Sequence, residues 1–252
     1  MSKIQTISGL FAHTCEQVTH SPQEWMEFLT TASRFYKAYD FDDQLLIYAQ
    51  RPNATACADI GFWNDEMRRW VNAGTTAIAL IRKGYGGKPY LSYVHDIADT
   101  HPVKNGKTPW IWQLRTEHKT AVCEMLREKF DGNGADLGTL LMDTGEKLAL
   151  EVCADMTQDL IYEKTDSFLE ELDDLNIEVA FRNLVRASTQ YELLTRCGVD
   201  PADYLDEDDL RGVTDFNTPA VLAYLGTAIA QASRTALLEV GRTVRQAELD
   251  LR

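Results

Sequence analysis

The hydrophobic period of this chain changes from helical to extended and back again, and this change constrains the fold more than any other feature. Up to about Met67 apolar residues recur at helical spacing, and between Arg68 and Val94 they form short β-type runs separated by glycine turns. From Glu117 onward the helical spacing returns. Short runs joined by tight turns favour an antiparallel sheet. We therefore predict an α+β fold with a helical start, a small antiparallel sheet, and then an acidic all-helical part.

Local start and stop signals mark individual helices. Ser21-Pro22, Asp200-Pro201 and Thr218-Pro219 each place a capping side chain before a proline that suits a first helical turn, and Gly198 suits a left-handed helix end. These signals and the apolar spacing predict helices over about 21–36, 42–50, 62–67, 117–129, from near 144, over 176–197, briefly from 201, and from 219 for about 30 residues.

Four strands are predicted for the sheet, over residues 68–71, 76–81, 90–94 and 110–112. The segment RKGYGGKP (82–89) joins the second strand to the third. It matches neither GxxxxGK[ST] nor GxGxxG, the glycine patterns that cradle phosphates. We therefore interpret it as a flexible hairpin loop.

The net charge of -14 is unevenly distributed. Residues 1–115 contain 12 Lys/Arg and 11 Asp/Glu, whereas residues 116–252 contain 13 Lys/Arg and 28 Asp/Glu. Within the first part, residues 68–115 hold eight basic residues against two acids. This asymmetry indicates two parts with different partners, and we predict domains over 1–116 and 117–252.

Cysteine content and hydropathy bear on the location of the protein. No apolar stretch approaches the ~20 residues that span a bilayer, and the N-terminal sequence lacks the pattern of a signal peptide. We expect a cytoplasmic protein without a membrane partner. The five cysteines are widely spaced and form no CxxC pair, so we interpret them as reduced thiols, with a catalytic cysteine as the alternative.

Basic and aromatic residues alternate between Trp63 and Arg115, the composition that binding of single-stranded nucleic acid requires. The candidate interface uses cations for phosphates and rings for base stacking: Arg68, Arg82, Lys83 and Lys88 for phosphates, with Trp70, Tyr85 and Tyr90 for bases. The structural alternative is that Trp63, Trp70 and Trp112 belong to the core of a small sheet. In that case the arginines are solvated or paired with acids such as Asp65 and Glu66.

The succession QLLIYAQRPNATACA, Trp63, RRWVNAG and a short β run resembles the N-terminal domain of ArdC-type antirestriction proteins. Such proteins occur on plasmids and conjugative elements, and a similar domain opens large polyvalent proteins of mobile elements in Firmicutes. The resemblance covers about residues 20–115. It implies a domain that binds single-stranded DNA in a bacterial host cell, followed by a domain like a zinc metallopeptidase.

The second half departs from that peptidase pattern. A zincin needs two histidines four residues apart on one helix face, with a glutamate beside the first, but all five histidines lie before residue 119. Where the motif would fall, LALEVCADMTQDL offers Glu151, Cys153, Asp155 and Asp159. We therefore expect no metal site, no cofactor and no enzymatic activity. The favoured function is a non-catalytic module that binds single-stranded DNA, modestly and in a salt-sensitive way, and serves antirestriction or DNA transfer.

The acidic half supports an alternative from another class. Dense carboxylates can imitate a phosphate backbone and occupy the DNA site of a nuclease, so the protein could inhibit a host restriction or CRISPR nuclease. The structural alternative is that these carboxylates form a solvated helical surface that keeps the protein soluble. The carboxylates concerned are Glu170, Glu171, Asp173, Asp174, Asp203, Asp206, Glu207, Asp208 and Asp209.

A third possibility is that the chain is a piece of a longer protein without activity of its own. The final predicted helix reaches Leu251 and Arg252 without a terminating glycine or proline.

Overall fold

The computed structural model describes residues 2–250, and the expected end of the last helix at Leu251 and Arg252 lies outside that range. The fold is α+β, as predicted. Its α-helices are α1 (Lys3–Val18), α2 (Pro22–Ala32), α3 (Phe41–Gln50), α4 (Lys119–Phe130), α5 (Leu137–Tyr162), α6 (Asp174–Cys197), α7 (Glu207–Leu210) and α8 (Pro219–Asp250). Short 3₁₀ turns and one π-helical turn, Phe62–Glu66, connect them.

The strands form two small antiparallel sheets. One has the order β1-β4-β3 and the other pairs β2 with β5. The small antiparallel sheet that the period change predicted is thus present, but as two separate pieces. The strands are β1 (Cys57–Ala58), β2 (Arg69–Val71), β3 (Ile78–Lys83), β4 (Pro89–Asp96) and β5 (Thr100–Pro102).

Several predicted boundaries were wrong. Helix α1 was not predicted, although Ser2 accepts from the Gln5 amide and Gln5 returns a hydrogen bond to Ser2 in a capping box. Helix α5 begins at Leu137 rather than near 144, because the Asp136 side chain accepts from the Thr139 amide and caps it.

The predicted fourth strand, 110–112, is not a strand, and β5 lies instead in the turn-rich segment before it. The aromatic residues of 110–112 are used for packing against helices. The Trp112 side chain is buried, and its Nε1 donates to Tyr36 Oη at 2.8 Å.

The larger hydrophobic core contains side chains from both sides of the predicted boundary at residue 116. Trp25 of α2 is fully buried in it, and its indole Nε1 donates to Ser188 Oγ of α6 at 2.9 Å. Helices α5, α6 and α8 pack against one another and supply most of its aliphatic side chains. The division into domains 1–116 and 117–252 stays a prediction.

A smaller core joins helix α3 to the hairpin of β3 and β4. Leu46 and Ile47 of α3 pack with Ile78, Leu80 and Val94 of the two strands. Two hydrogen bonds of one α3 side chain fix this packing, since the Gln50 amide group donates to the Ala79 carbonyl and accepts from the Ala79 amide, both at 2.9 Å. The hairpin is therefore anchored at its base.

The small-residue segment after α3 is held by one carboxylate. Buried Asp96 accepts from the amides of Thr55 and Ala56, at 2.6 and 2.9 Å, and from the Ala98 amide at 2.9 Å. This arrangement ties the ATACA loop to the end of β4, from which the second sheet continues. Within residues 2–250 no helix combines the length and apolar character that crossing a membrane requires.

Candidate nucleic-acid interface

The hairpin of β3 and β4 carries four of the seven predicted contact residues at its exposed end. Lys83 pairs in register with Pro89, and the Gly84 amide donates to the Lys88 carbonyl at 2.9 Å. Tyr85 stands fully in solvent, Tyr90 is 51% exposed, and both lysines are exposed. Because no acidic residue occurs between Glu66 and Asp96, the exposed end of the hairpin carries positive charge and aromatic rings without a nearby acid in the sequence.

The turn at the hairpin tip depends on backbone conformations that favour glycine. Gly86 and Gly87 have φ of 72° and 76°, in the left-handed region. They reverse the chain within one short 3₁₀ turn and leave the Tyr85 ring outside the sheet. The interpretation of this segment as a hairpin loop is consistent with the strand pairing on either side.

Arg82, which the sequence assigned to phosphate binding, is engaged by an acidic side chain of the protein. Its guanidinium forms an ion pair with the buried carboxylate of Asp43 at the start of α3. Burial raises the pKa of Asp43 to about 6, and the hydrogen bond from Arg82 opposes that rise. Because Arg82 neutralises a desolvated carboxylate, it anchors the hairpin to α3, and we leave it out of the expected phosphate contacts.

Trp70 lies on the other sheet and Arg68 directly precedes strand β2 of that sheet, so the predicted contact residues are divided between two sheets. Strand β4 runs for eight residues away from the hairpin tip before β5 begins, a rise of about 26 Å at ~3.3 Å per residue. Trp70 of β2 is 58% exposed and meets His101 of β5 edge to face, with ring centres 6.5 Å apart. Arg68 is exposed, and within residues 2–250 it forms no ion pair with Asp65 or Glu66.

The tryptophans divide between the two alternatives that the sequence left open. Trp63 and Trp112 are buried, as the structural alternative predicted, and the Trp63 Nε1 donates to the His95 carbonyl at 2.9 Å. Trp70 is on the surface, as a stacking role requires. Arg69, which directly precedes Trp70, is buried and donates to Thr100 Oγ1 and to the Thr100 carbonyl. Its role is therefore structural.

The acidic clusters mostly serve local structure. Asp173 caps α6 by accepting from the Asn176 amide. Asp206 caps α7 by accepting from the amides of Asp208 and Asp209. Asp174 pairs with Lys164 at 3.3 Å, and Asp208 pairs with Arg211. The remaining carboxylates of the set are exposed, apart from half-buried Asp209: Glu170, Glu171, Asp203 and Glu207.

The five cysteine thiols are free, and burial raises the pKa of Cys15, Cys153 and Cys197 to about 12. Such thiols are protonated at neutral pH and are poor nucleophiles. In the part of the chain that the structure describes, no three His, Cys, Asp or Glu side chains are arranged to share a metal ion.

Sequence reasoning missed basic residues of the acidic half that lie beside tryptophans of the first half. Arg196 of α6 and Arg245 of α8 lie over the rings of Trp112 and Trp110, respectively. No local signal could have found these pairs, because their members are more than 80 residues apart in sequence. An arginine on a helix that also carries acidic residues is ordinarily exposed to solvent, so Arg196 and Arg245 did not stand out in the sequence.

No protein-family model, curated protein or solved structure matches this chain.

Proposed function

We propose that this protein is a non-catalytic module that binds single-stranded DNA through the β3–β4 hairpin. The observation that carries the proposal is the hairpin tip, where Lys83, Lys88, Tyr85 and Tyr90 are all exposed and no acidic residue lies between Ile78 and His95. Single-strand binding by such surfaces combines cations that follow the phosphates with rings on which bases stack.

The anchoring of the hairpin supports this role. Gln50 holds strand β3 at Ala79 and the Arg82–Asp43 ion pair holds it one residue before Lys83, while the turn Tyr85–Gly87 has no buried side chain. A binding surface on a fixed base loses less conformational entropy on complex formation than a disordered loop does. The module is therefore suited to modest, sequence-tolerant binding.

The resemblance of residues 20–115 to the ArdC-type N-terminal domain points in the same direction. It supports a protein that is encoded by a mobile element and acts in the bacterial cytoplasm. There it would serve antirestriction or DNA transfer. The net charge of -14 repels the negatively charged DNA backbone. We therefore expect weak binding that is measurable at low salt.

The test is the affinity for a labelled single-stranded oligonucleotide, measured by fluorescence anisotropy at low salt. The Tyr85→Ser, Lys88→Glu double variant changes only exposed side chains of the hairpin tip, so it should fold normally. Loss of one stacked base, worth about 1–3 kcal/mol, and of one phosphate contact should weaken binding at least tenfold.

Lys119→Glu is the matched control, because it makes the same charge change at an exposed position of α4. It should leave the affinity within about twofold of the parent. Equal affinities for the parent and the folded double variant would refute the hairpin as the binding surface.

A further inference from the structure

A cleft of about 390 Å³ lies where α8, the end of α6 and four segments of the first half meet. The four segments are the turn after α2, residues 55–58 with strand β1, the π-helical turn and the stretch 109–112. None of the hairpin residues of the proposed DNA surface lines it. Its volume falls within the ~300–1,000 Å³ that is usual for small-molecule sites.

The lining of this cleft is basic and aromatic in a protein that is otherwise strongly acidic. It contains no Asp or Glu, but five basic side chains: Arg34, Lys37, Arg196, Arg242 and Arg245. In a partly enclosed space these charges repel one another, and an anion would relieve that repulsion.

The basic residues differ in how far they are already engaged. Arg34 donates to the carbonyls of Pro52 and Ala54, and Arg242 forms an ion pair with Glu239, which also accepts from Lys129 at 2.7 Å. Among residues 2–250, Lys37 and Arg245 form no ion pair. Both are exposed at the cleft and can reach an incoming anion.

The floor of the cleft is rigid. Trp112 is buried against α8 at Gly241, where an added Cβ would lie 2.8 Å from the indole Nε1. The Arg196 guanidinium stacks on the Trp112 ring at 3.5 Å from its centre and donates to the Trp112 carbonyl at 2.9 Å. Burial lowers the pKa of Arg196, which shows that its charge is poorly solvated.

The mouth of the cleft presents half-exposed rings. Phe62 is 40% exposed and Trp110 is 45% exposed. Phe62 belongs to the π-helical turn, a rare element that occurs often at functional sites. Trp110 is held at its edge by Glu248, which accepts from the indole Nε1 at 2.8 Å, and Arg245 lies over one face of its ring at 5.4 Å from the ring centre.

From this arrangement we infer that the cleft binds a nucleoside monophosphate group, with the phosphate at Lys37, Arg242 and Arg245 and the base against Trp110 and Phe62. Flat π systems stack on aromatic rings, and guanidinium groups bind phosphates with two parallel hydrogen bonds. The group can belong to a free nucleotide or to the phosphorylated end of a DNA strand. The inference does not rest on the hairpin proposal, because the two surfaces share no residue.

The test is titration of the full chain with AMP, followed by calorimetry and by tryptophan fluorescence. Adenosine and inorganic phosphate serve as partial probes, and each should bind at least tenfold more weakly than AMP, since each lacks one half of the recognised group. Binding of AMP should quench the fluorescence of Trp110. No AMP binding at millimolar concentration, or phosphate binding as tight as that of AMP, would overturn the inference.

Two competition experiments distinguish a free nucleotide from the phosphorylated end of a DNA strand as the source of the nucleoside monophosphate group. A 5′-phosphorylated oligonucleotide that displaces AMP better than its 5′-hydroxyl form indicates a strand end. If neither form displaces AMP, the occupant is a free nucleotide. Both results support the cleft as a nucleotide site.

Variants at exposed cleft positions connect binding to the site. Arg245→Ala and Lys37→Ala should each weaken AMP binding about tenfold, the loss expected for one charge-assisted contact. Arg234→Ala is the control, because Arg234 is exposed on the same helix outside the cleft. Equal affinity in Arg245→Ala and Arg234→Ala would overturn the assignment. The hairpin variant Lys88→Glu should leave AMP binding unchanged, so failure of one proposal does not mask the other.

Discussion

Arg196 and Trp112 are coupled twice, since the guanidinium stacks on the indole ring at 3.5 Å from its centre and also donates to the Trp112 carbonyl at 2.9 Å. Arg196 comes from the acidic half of the sequence and Trp112 from the aromatic, basic half. The pair therefore joins helix α6 to the segment that precedes α4. It accounts for a buried tryptophan in a segment that has no regular secondary structure.

We expect Arg196→Lys to destabilise the protein by about 1–2 kcal/mol, because lysine keeps the charge but lacks the planar group that stacks on the ring. The measurement is chemical denaturation followed by circular dichroism. Arg211→Lys is a suitable control, since Arg211 is exposed and pairs only with Asp208 within the described residues. Equal stabilities of the two variants would show that the stacked geometry contributes nothing.

We expect Gly241→Ala to destabilise the protein by about 1–3 kcal/mol, because the added Cβ would lie 2.8 Å from Trp112 Nε1 and force the indole away from α8. Gly9→Ala is the matched control. Gly9 is also inside a helix, and an added Cβ there meets nothing within 4 Å. That change should be neutral or stabilise by up to about 1 kcal/mol. A loss of stability as large for Gly9→Ala would contradict the packing explanation.

We expect Arg82→Gln to destabilise the protein by about 1–3 kcal/mol, because it leaves the buried Asp43 carboxylate without its cation. Adding Asp43→Asn should recover part of the loss, since both charges are then absent. The measurement is a double-mutant cycle of unfolding free energies. Additive effects of the two substitutions would contradict a direct ion pair.

Glu192 of α6 predicts a pH dependence of stability. Burial raises its pKa from the ordinary 4.5 to about 8, so the native state keeps a proton that the unfolded state releases above pH 4.5. The contribution of Glu192 to stability is therefore complete below pH 4.5 and is lost as the pH rises from 4.5 to 8, by at most about 1.4 kcal/mol per pH unit.

The measurement compares unfolding free energies of the parent and Glu192→Gln between pH 5 and 8. Glutamine stays neutral, so the variant should gain stability relative to the parent as the pH rises. Parallel curves across this range would exclude Glu192 as the source.

Local signals in the sequence predicted those elements whose ends are fixed by their own residues. Thr218-Pro219 marked the start of α8, and Gly198 ends α6 with φ of 71°. The start of α5 also has a local signal, the Asp136 cap, but Gly138 in the first turn looks like a helix breaker and hid it. Glycine is required at position 138 by tight packing, since an added Cβ there would lie 2.1 Å from the Tyr204 hydroxyl.

The candidate sites show the same division between local and long-range information. The exposed hairpin tip follows from a glycine turn and a two-residue period, so Lys83, Tyr85, Lys88 and Tyr90 were found from the sequence. The engagement of Arg82 by Asp43 could not be, because the two residues are 39 positions apart. The cleft depends on even longer separations.

The central claim is tested most directly by the salt dependence of single-strand binding. Each phosphate contact to a single strand contributes about -0.7 to the logarithmic slope of affinity against salt concentration. With Arg82 engaged by Asp43 and Arg68 beside the other sheet, two of the four assigned cations remain at the hairpin tip, namely Lys83 and Lys88. The expected slope is then about -1.4, a loss of affinity of roughly sevenfold between 50 and 200 mM salt.

The measurement is the affinity for an unstructured oligonucleotide at several salt concentrations, for the parent and for Lys83→Gln combined with Lys88→Gln. The account predicts a slope near -1.4 for the parent and a slope near zero, with weaker binding, for the variant. No binding at 50 mM salt, or the same slope for both proteins, would contradict it.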